Sequence, residues 1–295
     1  MTSTTERASL MRIEDFASFV DGLDHPEGVA AGPQGEVYAG GEAGQLYRID
    51  LNGESEQIAS TGGFVLGLCL DGDGAIYACD LALGAVMRID PDGTVSTYSN
   101  GTPDRRMSVP NYPVFDADGN LYVSDSGGWK ENGGCLFRIR PDGETELVGE
   151  GLEAFPNGMA LHPDGSRLYV VLSNLPGVVS LALANDGTVG TPQTVVELPR
   201  HVPDGLAFDV AGNLYISCYT PDVIYRLSPE GDLSVLAEDW ESVTFATPTN
   251  IAFAGPERRT LVVASLSRWH LTKGEMPIAG ARLQYPTGVR QAVSR

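Results

Sequence analysis

The chain has 295 residues, 42% of them hydrophobic, and 36 glycines; with few long apolar periodic stretches, this favours one large core of short strands joined by tight turns over a helical protein. Thirty-nine acidic residues against 19 basic ones give a formal net charge of −20, which repels phosphate backbones and anionic lipid. Nucleic acid and membrane surfaces are therefore not expected partners, and a small-molecule substrate is.

The amino-terminal stretch MTSTTERASLMRIEDF carries no basic segment, apolar centre and small-residue cleavage site in succession, so it does not read as a secretory signal. No apolar run is long enough to span a bilayer. Cys69, Cys79, Cys135 and Cys218 lie in strand-like surroundings without a close-spaced metal pattern. That suits buried thiols in a reducing, cytoplasmic setting, with a Cys69–Cys79 disulfide as the alternative.

Residues 1–11 are expected to be a flexible terminus, and a strand-like segment, RIEDFASFVDGL, follows. Next comes a motif that recurs along the chain: PEGVAAGPQGEVYAG from Pro26, VLGLCLDGDGAIYAC from Val65, PNYPVFDADGNLYVS from Pro110, PNGMALHPDGSRLYV from Pro156, PDGLAFDVAGNLYIS from Pro203 and PTNIAFAGPERRTLVVA from Pro248. Each copy reads as an apolar strand, a tight turn and a second strand. Most are followed by a hairpin such as GQLYRIDLNGESEQIA or GCLFRIRPDGETELVG. Four strands in about 40 to 47 residues match a propeller blade. The expectation is an all-β, six-bladed β-propeller of four antiparallel strands per blade, occupying 12–288 as one domain, with 289–295 as a second flexible terminus. The last copy lacks a fourth strand, so the amino-terminal strand is predicted to complete it and close the ring.

Strand polarity sorts the loops. The short turns after strands one and three fall on one face, and the variable loops fall on the other. The link NGTPDRRMSV (100–109) and the insertion DSGGWKENGG (125–134) are the longest irregular stretches on that second face, where binding usually resides. They are candidates for a lid.

The residue after each repeat's proline, or its equivalent, should stand at the rim and face the axis. In order these are Glu27, Leu66, Asn111, Asn157, Asp204 and Thr249. Asn157-Gly158 alone is a turn signal. Four carboxylate or amide oxygens converging on one axis are another matter, because the acids Glu27 and Asp204 would repel without a neutralising charge. One divalent cation held by Glu27, Asn111, Asn157 and Asp204 resolves this. All-oxygen donors put Ca²⁺ foremost, with Mg²⁺, Mn²⁺, Zn²⁺ and Fe²⁺ as alternatives. Few protein ligands leave room for water and substrate.

The series HPEG, PNYP, PNGMALHPDGSRLYV, PDGLAFDVAGNLYIS and PTNIAF resembles the gluconolactonase and senescence-marker-protein (regucalcin) family of six-bladed propellers, over nearly the whole chain. The resemblance implies metal-dependent opening of a lactone. It implies that Glu27, Asn157 and Asp204 bind the metal, that Asn111 binds metal or substrate, and that Asp204 is the general base. Asn250 matches a position with a supporting role. Sugar lactonases of this family often carry Arg two residues before the third-blade Asn and Asp directly after it, where this chain has Val109 and Tyr112. A lactone less polar than gluconolactone is the corresponding expectation.

Leu66, Tyr112, Trp129 and Tyr219 are candidate pocket walls. Arg106, with Arg105, is a candidate for attracting an anionic substrate. His25 and His201, each close to a rim position, are candidates for proton transfer, and would otherwise be loop histidines. No Gly-x-Ser-x-Gly occurs, so Ser126 and Ser173 are not nucleophiles of a serine hydrolase. Alternatives are phosphotriester hydrolysis, a lyase or isomerase step at the same metal, and a non-catalytic propeller with a structural ion.

Overall fold

The computed structural model describes residues 9–149, 151–184 and 187–289. Six four-stranded antiparallel sheets form a six-bladed β-propeller. The innermost strands are Val29–Ala31, Val65–Leu70, Pro110–Phe115, Pro156–Leu161, Pro203–Phe208 and Pro248–Ala254. Each touches the next around the ring, and the last touches the first. The amino-terminal strand Phe16–Asp21 pairs with His270–Glu275 as the outer strand of the sixth blade. This is the predicted closure, and it removes a free sheet edge where the chain's two ends meet.

The core lies between blades as six apolar clusters, one of them built from Tyr77, Tyr98, Phe115 and Phe137. The tyrosines of the repeated second strand do more than fill space. Tyr77 donates to Asp71 Oδ2 and Tyr215 to Asp209 Oδ2, both at 3.0 Å. Each aspartate also accepts two backbone N–H groups of its own turn, so one carboxylate sets the turn and anchors the ring. All four cysteines are free. No described helix is long and apolar enough to cross a membrane.

Asn157-Gly158 is not a turn. It lies inside an inner strand, at a break in register between Pro156 and Met159, and equivalent irregularities occur at Val65/Leu68, Pro110/Tyr112, Pro203/Leu206 and Pro248/Ile251. A bulge re-aims a side chain, and here it recurs at the rim position of five blades. Gly158 is required by close approach: a Cβ there would come within 2.2 Å of the Asp204 carbonyl oxygen.

The ends hold more structure than expected. The backbone N–H groups of Leu10 and Met11 donate to Val235 and Leu236, so the described part of the amino-terminal segment is anchored before residue 12. Residues 276–289 form a strap across the face opposite the rim. Val210 N donates to Ala279 O (2.9 Å), Gly72 N to Pro286 O (2.7 Å), Tyr285 Oη to Ala31 O (2.9 Å) and Arg88 Nη1 to Val289 O (2.8 Å). Val289 is buried and belongs to the fold, one residue beyond the expected limit. Residues 1–8 and 290–295, the remainder of the expected flexible termini, lie outside the described residues.

Above the strap lies an apolar chamber of about 80 Å³, lined by Val29, Leu68, Met159, Leu206, Ile251 and Tyr285 among others. The first five stand two residues beyond Glu27, Leu66, Asn157, Asp204 and Thr249, which is about 6 to 7 Å down each strand.

Candidate active site

Glu27, Asn111, Asn157, Asp204, Thr249 and Asn250 are all buried, at 5% exposure or less, at the start of the inner strands. Asn157 Nδ2 donates to Asp204 Oδ2 (3.0 Å) and to Ser173 Oγ (3.2 Å). Asn111 Nδ2 donates to Ser126 Oγ (3.0 Å). Asn250 Nδ2 donates to Glu27 Oε2 (3.3 Å) and to the Glu27 carbonyl (3.1 Å), which Thr249 Oγ1 also approaches at 2.6 Å.

Among the described residues, the Oδ1 atoms of Asn111, Asn157, Asp204 and Asn250 are buried without any hydrogen-bond partner. An unsatisfied buried polar atom costs about 1 to 3 kcal/mol. Four at one ring of residues are therefore an expensive arrangement unless something binds there. The donor chemistry, amide and carboxylate oxygen alone, fits a hard divalent cation.

Electrostatics points the same way. Burial, followed by the charge of Asp204, holds the Glu27 carboxyl well above its ordinary range, although Asn250 opposes this. Burial raises Asp204 to about 7, against the pull of its bond from Asn157. Two buried acids without a counter-charge resist ionisation together. The nearby phenols respond too. Burial, then Asp204 and Glu27, push Tyr219 up to about 12, and burial foremost raises Tyr112, with both acids contributing.

Leu66 stands buried at its ring position. Tyr112 occupies the place after the ring residue where four other blades carry glycine, and its ring lies close against Gly67. Tyr112 also lines the chamber below, so it separates mouth from floor. Trp129 is 45% exposed and packs edge-on to Phe155, centroids 4.9 Å apart, on the residue that leads into Pro156-Asn157. Arg105 donates to the Gly133 carbonyl, which ties the 100–109 link to the 125–134 loop.

Three further candidates have neighbours of their own at or near the rim. Arg106 is exposed and donates to Asn100 Oδ1 of its own link. His201 has both ring nitrogens engaged, Nδ1 with Pro199 O at 3.0 Å and Nε2 with the Tyr225 hydroxyl at 2.8 Å, so it is fastened to the fifth blade. His25 Nδ1 lies 2.9 Å from Glu42 and 3.4 Å from Asp24, and the ring sits 5.5 Å from that of Trp269. It stands close to two carboxylates, Asp24 and Glu42.

Two serines set aside as nucleophiles have a different part in the site. Ser126 and Ser173 are buried and contact the asparagine amides directly. Their signal was the polar residue recurring where the second strand ends, in LYVSDS and LYVVLS.

A six-bladed propeller with buried, unpartnered oxygens at one mouth is the class that the fold and site define. The chain belongs to the SMP-30/gluconolactonase/LRE-like family, whose model matches residues 84–267. A shorter match, residues 19–49, is to a strictosidine synthase-like amino-terminal model. A gluconolactonase of Zymomonas mobilis is 31% identical over 188 residues, 56% of this chain and 52% of that one, so the match spans about half that relative's length. A pentonolactonase of Haloferax volcanii is 27% identical over 229 residues, 76% of this chain and 75% of that one. The structure of a calcium-binding regucalcin from Agrobacterium tumefaciens shares the fold with a TM-score of 0.76 at 17% identity, over 96% of this chain and 99% of that one.

Proposed function

We propose that the protein is a divalent-cation-dependent lactonase, with Glu27, Asn111, Asn157 and Asp204 holding the cation and Asp204 acting as general base. The observation that carries this reading is the buried, unpartnered Oδ1 of Asn111, Asn157 and Asp204, with the Glu27 carboxyl buried beside them; the gluconolactonase and pentonolactonase relatives support lactone hydrolysis. Calcium is the preferred ion because every donor is oxygen, and a calcium-binding regucalcin shares the fold.

What a bound divalent cation supplies at such a site is Lewis acidity toward the ring carbonyl and positive charge for the oxyanion. The chain's own residues do the rest. Asp204 Oδ2 accepts from the Asn157 amide and Oδ1 has no protein partner, so one carboxylate would both help hold the cation and take the proton from water. Burial raises its pKa to about 7 in the cation-free site, and a bound cation would lower it toward the ionised form that a base needs. The water oxygen bonds to the carbonyl carbon, the ring C–O bond breaks, and the proton returns from Asp204 to the departing ring oxygen. Lactone plus water becomes a hydroxy acid, and Asp204 is restored. Leu66 and the Tyr112 ring give the pocket apolar walls, with Tyr219 beside the acids. Where a sugar lactone would want polar contacts, Val109 and Tyr112 offer few, so the preferred substrate is a lactone less polar than gluconolactone.

The test is a panel of polar and apolar lactones, with phosphotriesters alongside, assayed by proton release with each of several divalent cations. Turnover of an apolar lactone that chelation abolishes is expected. Phosphotriester turnover alone, or lactone turnover indifferent to chelator, would sink the proposal.

A further inference from the structure

Each of two asparagines at the site has two possible amide orientations, and only one turns oxygen to the cation. We infer that Ser126 and Ser173 are positioning residues that choose this orientation, and that they do so because their own protons are committed to the neighbouring blade. The inference rests on the cation-binding reading above and deepens it.

Ser173, at the end of the fourth blade's second strand, donates to Pro203 O of the fifth blade at 2.8 Å. Ser126, of the third blade, donates to Pro156 O of the fourth at 2.7 Å. A serine hydroxyl has one proton. With that proton spent on the backbone, Oγ presents only lone pairs to the amide beside it. Nδ2 of Asn157 therefore faces Ser173 and Nδ2 of Asn111 faces Ser126; a flipped amide would set oxygen against oxygen. Asn157 is pinned a second time by Asp204 Oδ2, whereas among the described residues Asn111 has only the bond to Ser126. Both Oδ1 atoms are left without partners. Blade-to-blade contact is thereby coupled to the affinity of the mouth, since the bond that fixes the next blade also orients the ligand.

Ser124 is the matched control. It donates to Asn157 O at 2.7 Å, the same kind of bond between blades, and accepts from Tyr112 N, but among the described residues it bonds to no side-chain amide.

The experiment is calorimetric titration of the metal-free full chain with Ca²⁺, in wild type and in Ser126→Ala, Ser173→Ala and Ser124→Ala. Loss of a group that orients a metal's ligands typically weakens binding roughly 10- to 100-fold. That loss is expected for Ser126→Ala and, less steeply because Asp204 still holds its amide, for Ser173→Ala. Ser124→Ala should stay within about threefold of wild type if clamping alone is lost. A second pair, Ser173→Thr and Ser173→Val, compares nearly equal shapes with and without the hydroxyl, and keeps the question answerable if an alanine variant does not fold. Threonine should bind tightly and valine weakly. Wild-type affinity in both site alanine variants, an equal loss in Ser124→Ala, or equal binding by the threonine and valine variants overturns the inference and leaves the site reading intact. Absence of saturable Ca²⁺ binding by the wild type overturns the site reading itself.

Discussion

The two ends of the central channel are made from the same six strands and behave as opposites. At the mouth, the rim positions carry buried acids and amides with four Oδ1 atoms unpartnered. Two residues further down, the same strands present Val29, Leu68, Met159, Leu206 and Ile251 to an apolar chamber closed by the strap. A β-strand changes chemical character from one residue to the next at no topological cost, and the propeller multiplies each choice around the axis. The mouth is stressed by unsatisfied oxygen and mutually repelling acids, and the floor is satisfied by packing and hydrogen bonds.

Substitutions can break this contrast in order of size. Asp204→Asn removes the base while keeping the shape, and kcat on the preferred lactone should fall by about 10³-fold, within the range for loss of a general base. Asn111→Ala should cost less, and the ratio of the two steady-state kcat values checks the ranking. Gly158→Ala forces a Cβ against the Asp204 carbonyl. Overpacking of this kind costs about 1 to 3 kcal/mol or more, measured by urea unfolding of the metal-free protein.

Cation addition sharpens the contrast from the other side. At 100 times its Kd, Ca²⁺ should stabilise the fold by about 2.7 kcal/mol, seen as a rise in Tm that chelation reverses. The metal-free protein should show the opposite stress in its pH profile. Because burial raises Asp204 to about 7 and raises Glu27 as well, the folded state holds protons that the unfolded chain has already released. Stability in chelator should therefore decline as pH rises from about 4 through 7, and Asp204→Asn should flatten that decline in thermal melts. The smallest effect belongs to the floor. Tyr285→Phe deletes the bond to Ala31 O and should cost about 1 kcal/mol with turnover unchanged, by paired melts and kinetics.

Much of this was legible in the sequence because a propeller repeats itself. Pro26-Glu27, Pro110-Asn111, Pro156-Asn157 and Pro203-Asp204 occupy one place in successive blades, and that register delivered the closing strand and the ring of oxygens together. The strap was not legible, because residues 276–289 have no strand period and bind mostly through backbone groups to turns far away in sequence. The serine contacts were missed for a related reason: they cross between blades, and a within-blade repeat does not report its neighbour's carbonyl. The partners of Arg106 and His201 were not legible either, because proximity along the chain to a rim position says nothing of where a side chain finds its bond. Asn157-Gly158 shows the same limit in miniature. Its composition says turn, and the bulged strand uses the glycine for clearance and the asparagine for its oxygen.

The strap has one further consequence. It turns a tunnel into a blind alley. On the proposed reading, reactant and product would share the mouth, so arrival of the next reactant would wait for departure of the last product. Turnover in such a vessel would then be governed by traffic at the rim as much as by the chemistry proposed for Asp204.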